Sequence, residues 1–102
     1  MVPVPDKYQS REIRRAIQEL LMAEWDPIGV RGSAGSERVY DVFVGSVYLL
    51  LQQEDATAER IEALLLDAAT GRLGLRRTVG IEEASARAAS KLIELRSQFQ
   101  LH

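Results

Sequence analysis

The stretch Trp25-Asp26-Pro27-Ile28-Gly29-Val30 separates a first amphipathic segment from a glycine-rich loop. Pro27 disfavours the α conformation at the residue before it, so we expect the first helix to end at Asp26. Asp26 can form an Asx turn, and Gly29 tolerates the left-handed backbone that a turn requires. Trp25 continues the apolar stripe of the preceding helix. The stretch therefore predicts a structural corner, and a core position is favoured for Trp25 over an exposed anchor for a partner.

Four amphipathic segments extend on either side of this corner. In segments 6–25, 57–73 and 79–99, apolar residues recur every three or four positions, which is typical of helices packed on one side. Segment 37–53 is rich in strand-forming valine and aromatic residues, but its apolar residues also recur at three and four, and no turn interrupts it. We therefore predict an all-α protein, a compact four-helix single domain over 1–102.

Residues at the segment ends agree with these boundaries. Ser36 and Thr57 suit the N-cap positions of the second and third helices. Gly74 suits the left-handed position that follows the third helix. Inside the second helix, Gly45 and Ser46 lower helix propensity, but they are small enough to let a neighbouring helix approach closely.

The composition is that of a globular domain. The 102 residues are 46% hydrophobic and 27% charged, which predicts a packed core. A net charge of −2 argues against a dedicated nucleic-acid binder, which needs a basic surface. The absence of cysteine excludes disulfides, cysteine zinc sites and a cysteine nucleophile. The N-terminal residues lack a signal-peptide pattern and the longest apolar run is only 47–51, so we expect a cytoplasmic protein without a membrane partner.

Charge is unevenly distributed along the chain. Residues 54–71 carry five carboxylates and one arginine, a net of −4, whereas residues 72–102 carry six basic and three acidic residues, a net of +3. These segments can form patches for partners, or they can be solvated faces of neighbouring helices. The second interpretation is favoured, because such charge runs are common on exposed helices.

Three arginines around Gly74 form the best candidate binding patch. Arg72, Arg76 and Arg77 can receive an anion or an acidic partner at a helix junction. They can equally complement the negative C-terminal end of the third helix. The sequence leaves both interpretations open.

Other charged residues have simpler explanations. Asp41 can pair with an arginine such as Arg31, and we expect a structural ion pair. Arg11, Arg14 and Arg15 share one face of the first helix, where a solvated surface is favoured over a row that binds phosphate.

No catalytic constellation is apparent. His102 is the only histidine and lies at the end of the sequence, so no serine has a plausible histidine base. The acidic pairs Glu54-Asp55 and Glu82-Glu83 are adjacent in sequence and point in different directions on a helix, which is poor geometry for acid–base chemistry or for a metal. We predict no enzymatic activity, no metal and no cofactor.

Residues 13–75 resemble a family of short bacterial proteins known only as a domain of unknown function. The stretch Trp25–Val30 matches its W-D-P-I-G element, and a helix from Thr57 closes on Leu73-Gly74-Leu75 as in that family. Between them lies a similar pattern of aromatic, acidic, small and leucine residues: Tyr40, Asp41, Phe43, Gly45, Tyr48, Leu50 and Leu51. The loop 31–36 and the alanine-rich last helix depart from the family pattern. The resemblance implies an all-α fold and transfers no catalytic residue, because the family has no assigned activity.

Two functions of different class remain. The leading hypothesis is a non-enzymatic protein–protein interaction domain, such as an immunity-type or regulatory adaptor protein, because chemistry is absent and the acidic and basic segments are separate. The alternative is a small-ligand or anion-binding module that uses loop 26–35 with Arg31, Arg72 and Arg76. Asp26 can also bind a cation or a partner arginine, although a role in the turn is favoured. A homodimer is compatible with either, because segment 39–51 is apolar on more than one face.

Overall fold

The computed structural model describes residues 7–27, 29 and 40–99. Within these ranges the chain forms four helices and no strand, so the predicted all-α single domain is confirmed. The first and third helices each end in one wider, π-helical turn. The bounds are α1 Lys7–Leu20 with the turn Leu21–Trp25, α2 Asp41–Leu51, α3 Ala58–Asp67 with the turn Ala68–Arg72, and α4 Val79–Gln98.

The second helix ends two residues before the predicted boundary at 53. It is described from Asp41, with Tyr40 at the N-cap position, whereas the predicted cap Ser36 and residues 37–39 lie outside the described residues. At its C-terminal end, Arg96 of α4 donates from Nε to the Leu51 carbonyl at 2.9 Å and from Nη2 to the Gln53 carbonyl at 2.9 Å. An arginine from another helix thus satisfies carbonyls that the end of a helix leaves unpaired.

The other described helix ends follow local capping rules. Thr57 Oγ1 accepts a hydrogen bond from the Arg60 N–H at 3.1 Å, as predicted, and Thr78 Oγ1 accepts one from the Ile81 N–H at 3.1 Å. After α3, Gly74 has a φ of 66°, which confirms its predicted left-handed position.

The core lies where the apolar stripes of all four helices meet. Helix α3 packs along α4, α4 also packs against the turn Leu21–Trp25, and α1 packs against α2. Small residues at Ala88 and Ala89 of α4 are buried, and they let the helices approach closely. The large residues with no exposed surface are Ile13, Ile17, Leu21, Tyr40, Val47, Leu51, Ile61, Leu65 and Leu92.

The expectation for Gly45 and Ser46 is wrong. Ser46 is exposed, and a Cβ atom built at Gly45 would meet no atom of the described residues within 4 Å. No described helix therefore packs on this side of α2, and the small residues face open space. As for membranes, none of the described helices combines the length and the apolar character needed to cross a bilayer.

Candidate functional site

Trp25 is a core residue, as predicted. Only 4% of its surface is exposed, and its Nε1–H donates a hydrogen bond to Ser85 Oγ of α4 at 3.1 Å. The rings of Tyr40 and Phe43 lie beside it, with centroids at 5.3 and 5.8 Å. Trp25 thus joins the end of α1 to both α2 and α4, and it is not exposed to a partner.

Asp26 and Tyr40 fasten the corner to the start of α2. Asp26 has a φ of 29°, a left-handed backbone that aspartate tolerates better than most residues. Tyr40 Oη donates a hydrogen bond to Asp26 Oδ1 at 2.8 Å, and the Gly29 N–H donates to the Asp26 carbonyl at 3.1 Å. Pro27 follows half-buried, and Gly29 is exposed with a φ of 66°. Asp26, Pro27, Gly29 and Tyr40 therefore shape the corner.

Glu24 links the corner to α4 by ion pairs. Its carboxylate accepts hydrogen bonds from Lys91 Nζ at 2.6 Å and from Arg87 Nε at 3.0 Å. The hydrogen bond from Lys91, followed by the charges of Lys91 and Arg87, lowers the pKa of Glu24. Helical spacing would favour a pair between Arg87 and Glu83, one turn away on α4, but Arg87 pairs with Glu24 instead. Residues from distant parts of the sequence meet here, and helical spacing carries no signal of such a contact.

In the predicted patch around Gly74, one of the three arginines is engaged in an ion pair. Arg77 Nη2 lies 3.1 Å from Glu82 Oε2, so its guanidinium forms an ion pair within the chain. Arg72 and Arg76 are exposed and form no ion pair with a described residue. Arg31, the third arginine of the predicted anion module, lies outside the described residues. Of the three arginines around Gly74, the described ion pairs thus engage only Arg77.

A different row of arginines borders a surface depression between α1 and α2. Arg11, Arg14 and Arg15 line this depression, which has a volume of about 500 Å³, and Asp41 is the single carboxylate among its described lining residues. The remaining lining residues are Gln18 and Val44. We call Arg11, Arg14 and Arg15 the arginine edge. Its three positive charges exceed the negative charges of Asp41 and of Glu19, which pairs with Arg15, so the depression attracts anionic groups.

The arginine edge is partly held in place. The guanidinium carbon of Arg14 lies 5.3 Å from the centre of the Tyr48 ring, a cation–π contact that orients it beside α2. Arg15 Nε lies 3.3 Å from Glu19 Oε1, an ion pair between residues four apart on α1. Both residues of that pair are well exposed, so the pair contributes little to stability. Asp41 was expected to form an ion pair, but no such pair with a described residue is found.

Helix α2 exposes apolar surface next to the arginine edge. Val42 is 51% exposed and Leu49 is 66% exposed. They lie seven residues apart, on the same side of the helix, with Gly45 and Ser46 between them. We call these four residues the α2 outer face. Another large exposed apolar residue, Val79, begins α4 and is 67% exposed.

The two surfaces adjoin each other. Because successive residues of an α-helix are rotated by about 100°, Asp41, Gly45, Leu49 and Val42 follow one another around α2. Asp41 lines the depression, so the α2 outer face begins where the arginine edge ends. The sequence did contain a signal of this face, because α2 is apolar on nearly all sides and one core cannot cover all of them.

The described residues contain neither a cluster of metal ligands nor an unsatisfied buried polar side chain. No group of three or more histidine, cysteine, aspartate or glutamate residues within them is placed to hold a metal ion. No buried polar side-chain atom within them lacks a hydrogen-bond partner. The exposed features of the described residues are aliphatic side chains on α2 beside positive charge on α1.

No protein-family model, no curated protein and no solved structure matches the chain. The family resemblance of residues 13–75 therefore stays a prediction.

Proposed function

We propose that this chain is a non-enzymatic protein–protein interaction domain that binds its partner through the α2 outer face. The observation that carries the proposal is the exposure of Val42 and Leu49 on one side of a single helix. Single exposed apolar residues are ordinary on protein surfaces, but aliphatic side chains aligned along one helix are typical of a binding face.

The chemistry of this face is suited to association. Fully burying a leucine side chain contributes about 1.5–3 kcal/mol relative to leaving it in water. The structure already buries Phe43, Val47 and Leu51 on the opposite side of α2, so Val42 and Leu49 can be covered only by another molecule or by residues outside the described ranges. An immunity-type or regulatory adaptor protein, acting in the cytoplasm, fits such a domain best.

Affinity purification from a lysate of the source cells tests this function. The baits are the wild-type chain, Leu49→Glu and Val79→Glu, each checked for helicity by circular dichroism. Val79→Glu is the matched control, because Val79 is as exposed as Leu49 but begins another helix. We expect a stoichiometric partner on the wild-type and Val79→Glu baits, and its loss with Leu49→Glu. A lysate that yields no stoichiometric partner, or one retained equally by Leu49→Glu, contradicts the proposal.

A second candidate function is an anion-binding module, and the arginine edge favours it. Three guanidinium groups beside one depression can bind phosphate oxygens. A ligand that binds only the folded chain raises its melting temperature. We expect, for this candidate, that phosphate, pyrophosphate or a nucleotide stabilises the wild type and stabilises Arg11→Ala less. A flat thermal-shift screen with these compounds excludes it, and it leaves the interaction domain as the remaining function.

A further inference from the structure

The α2 outer face has the shape of a receptor for another helix. In helix–helix packing, a side chain of one helix inserts between four residues of the other at positions i, i+3, i+4 and i+7. Val42, Gly45, Ser46 and Leu49 occupy those four positions. Val42 and Leu49 form two exposed aliphatic walls, and Gly45 and Ser46 form the low side of the hole between them.

No described residue fills the hole. A Cβ atom at Gly45 would contact no described residue within 4 Å, and Ser46 directs its hydroxyl back to the Val42 carbonyl at 3.4 Å. Because the Ser46 hydroxyl donates to a carbonyl of its own helix, an apolar side chain can cover it without leaving that donor unpaired. The space above Gly45 can therefore receive an apolar side chain without displacing a described residue.

The charge next to the hole selects among possible helices. The arginine edge lies on the side of the hole that Asp41 marks, and its three guanidinium groups outnumber two nearby carboxylates, Asp41 and the Glu19 that pairs with Arg15. When a partner helix inserts an apolar side chain into the hole, the residues that flank this side chain lie over the arginine edge. Acidic residues there form charge-assisted hydrogen bonds with arginine, whereas basic residues are repelled.

We infer that the hole formed by Val42, Gly45, Ser46 and Leu49 receives an apolar side chain from an amphipathic helix of a partner protein, and that this helix carries acidic residues over Arg11, Arg14 and Arg15. This inference rests on the proposed interaction function and adds the chemical class of the partner.

Two other occupants fit less well. In an antiparallel pairing of two copies through α2, the arginine edges of both copies lie on the same side and repel each other. A nucleic acid would use the arginines but would leave Val42 and Leu49 against a polar backbone. An acidic amphipathic helix is matched to both the aliphatic walls and the charge.

Two designed peptides test the inference. Both are three-heptad amphipathic helices with leucine on one side, and they differ only in carrying glutamate or lysine beside the leucines. Binding of each fluorescein-labelled peptide to the full chain is measured by fluorescence anisotropy at low and high salt. We expect the glutamate peptide to bind at least about tenfold more tightly than the lysine peptide, and we expect this preference to shrink as salt screens the charges.

Variants of the chain separate the contribution of the hole from that of the charge. Gly45→Leu fills the hole with a good helix former, so the chain folds while the glutamate peptide binds about tenfold or more weakly. Arg11→Glu weakens binding of the glutamate peptide by about threefold or more, because it removes one exposed charge pair and places a negative charge beside the acidic helix. The matched control Arg60→Glu, at an exposed arginine of α3 outside the arginine edge, leaves the affinity unchanged.

The outcomes distinguish the inference from the function on which it rests. If both peptides bind equally and Leu49→Glu abolishes both, the acidic-helix inference is overturned and docking through α2 stands. If neither peptide binds, or if binding is indifferent to Leu49→Glu and Gly45→Leu, the hole is not a receptor for this class of helix and the inference fails. Sedimentation equilibrium that shows a dimer lost in Leu49→Glu also overturns it, in favour of a second copy. Equal or tighter binding of a DNA duplex that depends on Arg11 overturns it in favour of a nucleic acid.

Discussion

Replacement of Ser85 by alanine should destabilise the fold more than any other loss of a single hydroxyl on α4. Ser85 has no exposed surface, and its Oγ accepts the hydrogen bond from the buried Trp25 indole at 3.1 Å. Alanine keeps the volume almost unchanged but removes the acceptor, so the indole N–H is left unpaired in the core. Leaving a buried donor unpaired costs about 1–3 kcal/mol.

Helix propensity acts in the opposite direction and must be subtracted. Alanine is a better helix former than serine by about half a kcal/mol. Ser90→Ala, an exposed position on the same helix, measures this gain alone. The free energy of unfolding of Ser85→Ala should therefore lie about 1–3 kcal/mol below that of Ser90→Ala. At an m-value of about 1.5 kcal/mol/M in urea, a difference of about 2 kcal/mol lowers the midpoint by roughly 1 M.

The assay uses the protein's own probe. Trp25 is the only tryptophan and is buried, so its fluorescence reports unfolding in urea directly. A double-mutant cycle adds Trp25→Phe, which removes the donor and whose unfolding is monitored by circular dichroism. In this background Ser85→Ala should lower the free energy of unfolding by at least about 1 kcal/mol less than it does in the wild type. If Ser85→Ala is as stable as Ser90→Ala, the Trp25–Ser85 bond does not hold the corner to α4 and the reasoning is refuted.

Three further predictions concern the corner and the helix ends. Tyr40→Phe removes the hydrogen bond to Asp26 and should lower the free energy of unfolding by about 0.5–1.5 kcal/mol in urea denaturation; no loss would show that the 2.8 Å contact is not formed in solution. Gly74→Ala should cost about 1–2 kcal/mol because alanine is strained at a φ of 66°, whereas Gly45→Ala inside α2 should stabilise by up to about 1 kcal/mol; equal effects would contradict the assigned backbone. The lowered pKa of Glu24 means that its ion pairs stabilise the fold above the ordinary pKa of 4.5 and are lost as pH falls through the lower folded value. The stability difference between wild type and Glu24→Gln should therefore be present at neutral pH and vanish in strong acid, and a difference that grows on acidification would reverse the argument.

Features of the fold that depend on residues adjacent in sequence were predictable. Thr57 and Gly74 act on the helix ends next to them, so their residue types were sufficient to assign an N-cap and a left-handed position. Trp25 continued a helical stripe and was correctly placed in the core. The strand propensity of segment 37–53 was overridden by the helical spacing of its apolar residues, and α2 is indeed a helix.

Contacts between distant residues were not predictable. Glu24 and Lys91 lie 67 residues apart, and Arg96 and Leu51 lie 45 apart, so no local spacing connects them. The same limit explains the error at Gly45. Its small size indicated room for a neighbouring helix, but only the packing of α1, α3 and α4 shows that none of the described helices occupies that side. The apolar sequence of α2 indicated that part of its surface stays uncovered, but which residues form the α2 outer face followed only from the packing of the core.

Site-specific photo-crosslinking in living cells tests the central claim, that the α2 outer face binds a partner protein, most directly. A photoreactive phenylalanine analogue is placed at Leu49 in one strain and at Val79 in another, since both side chains are well exposed. If the α2 outer face binds a partner, position 49 gives one discrete adduct with a different protein and position 79 gives none. Adducts of the same pattern from both positions, or only a species of twice the chain's own mass from position 49, would contradict that claim.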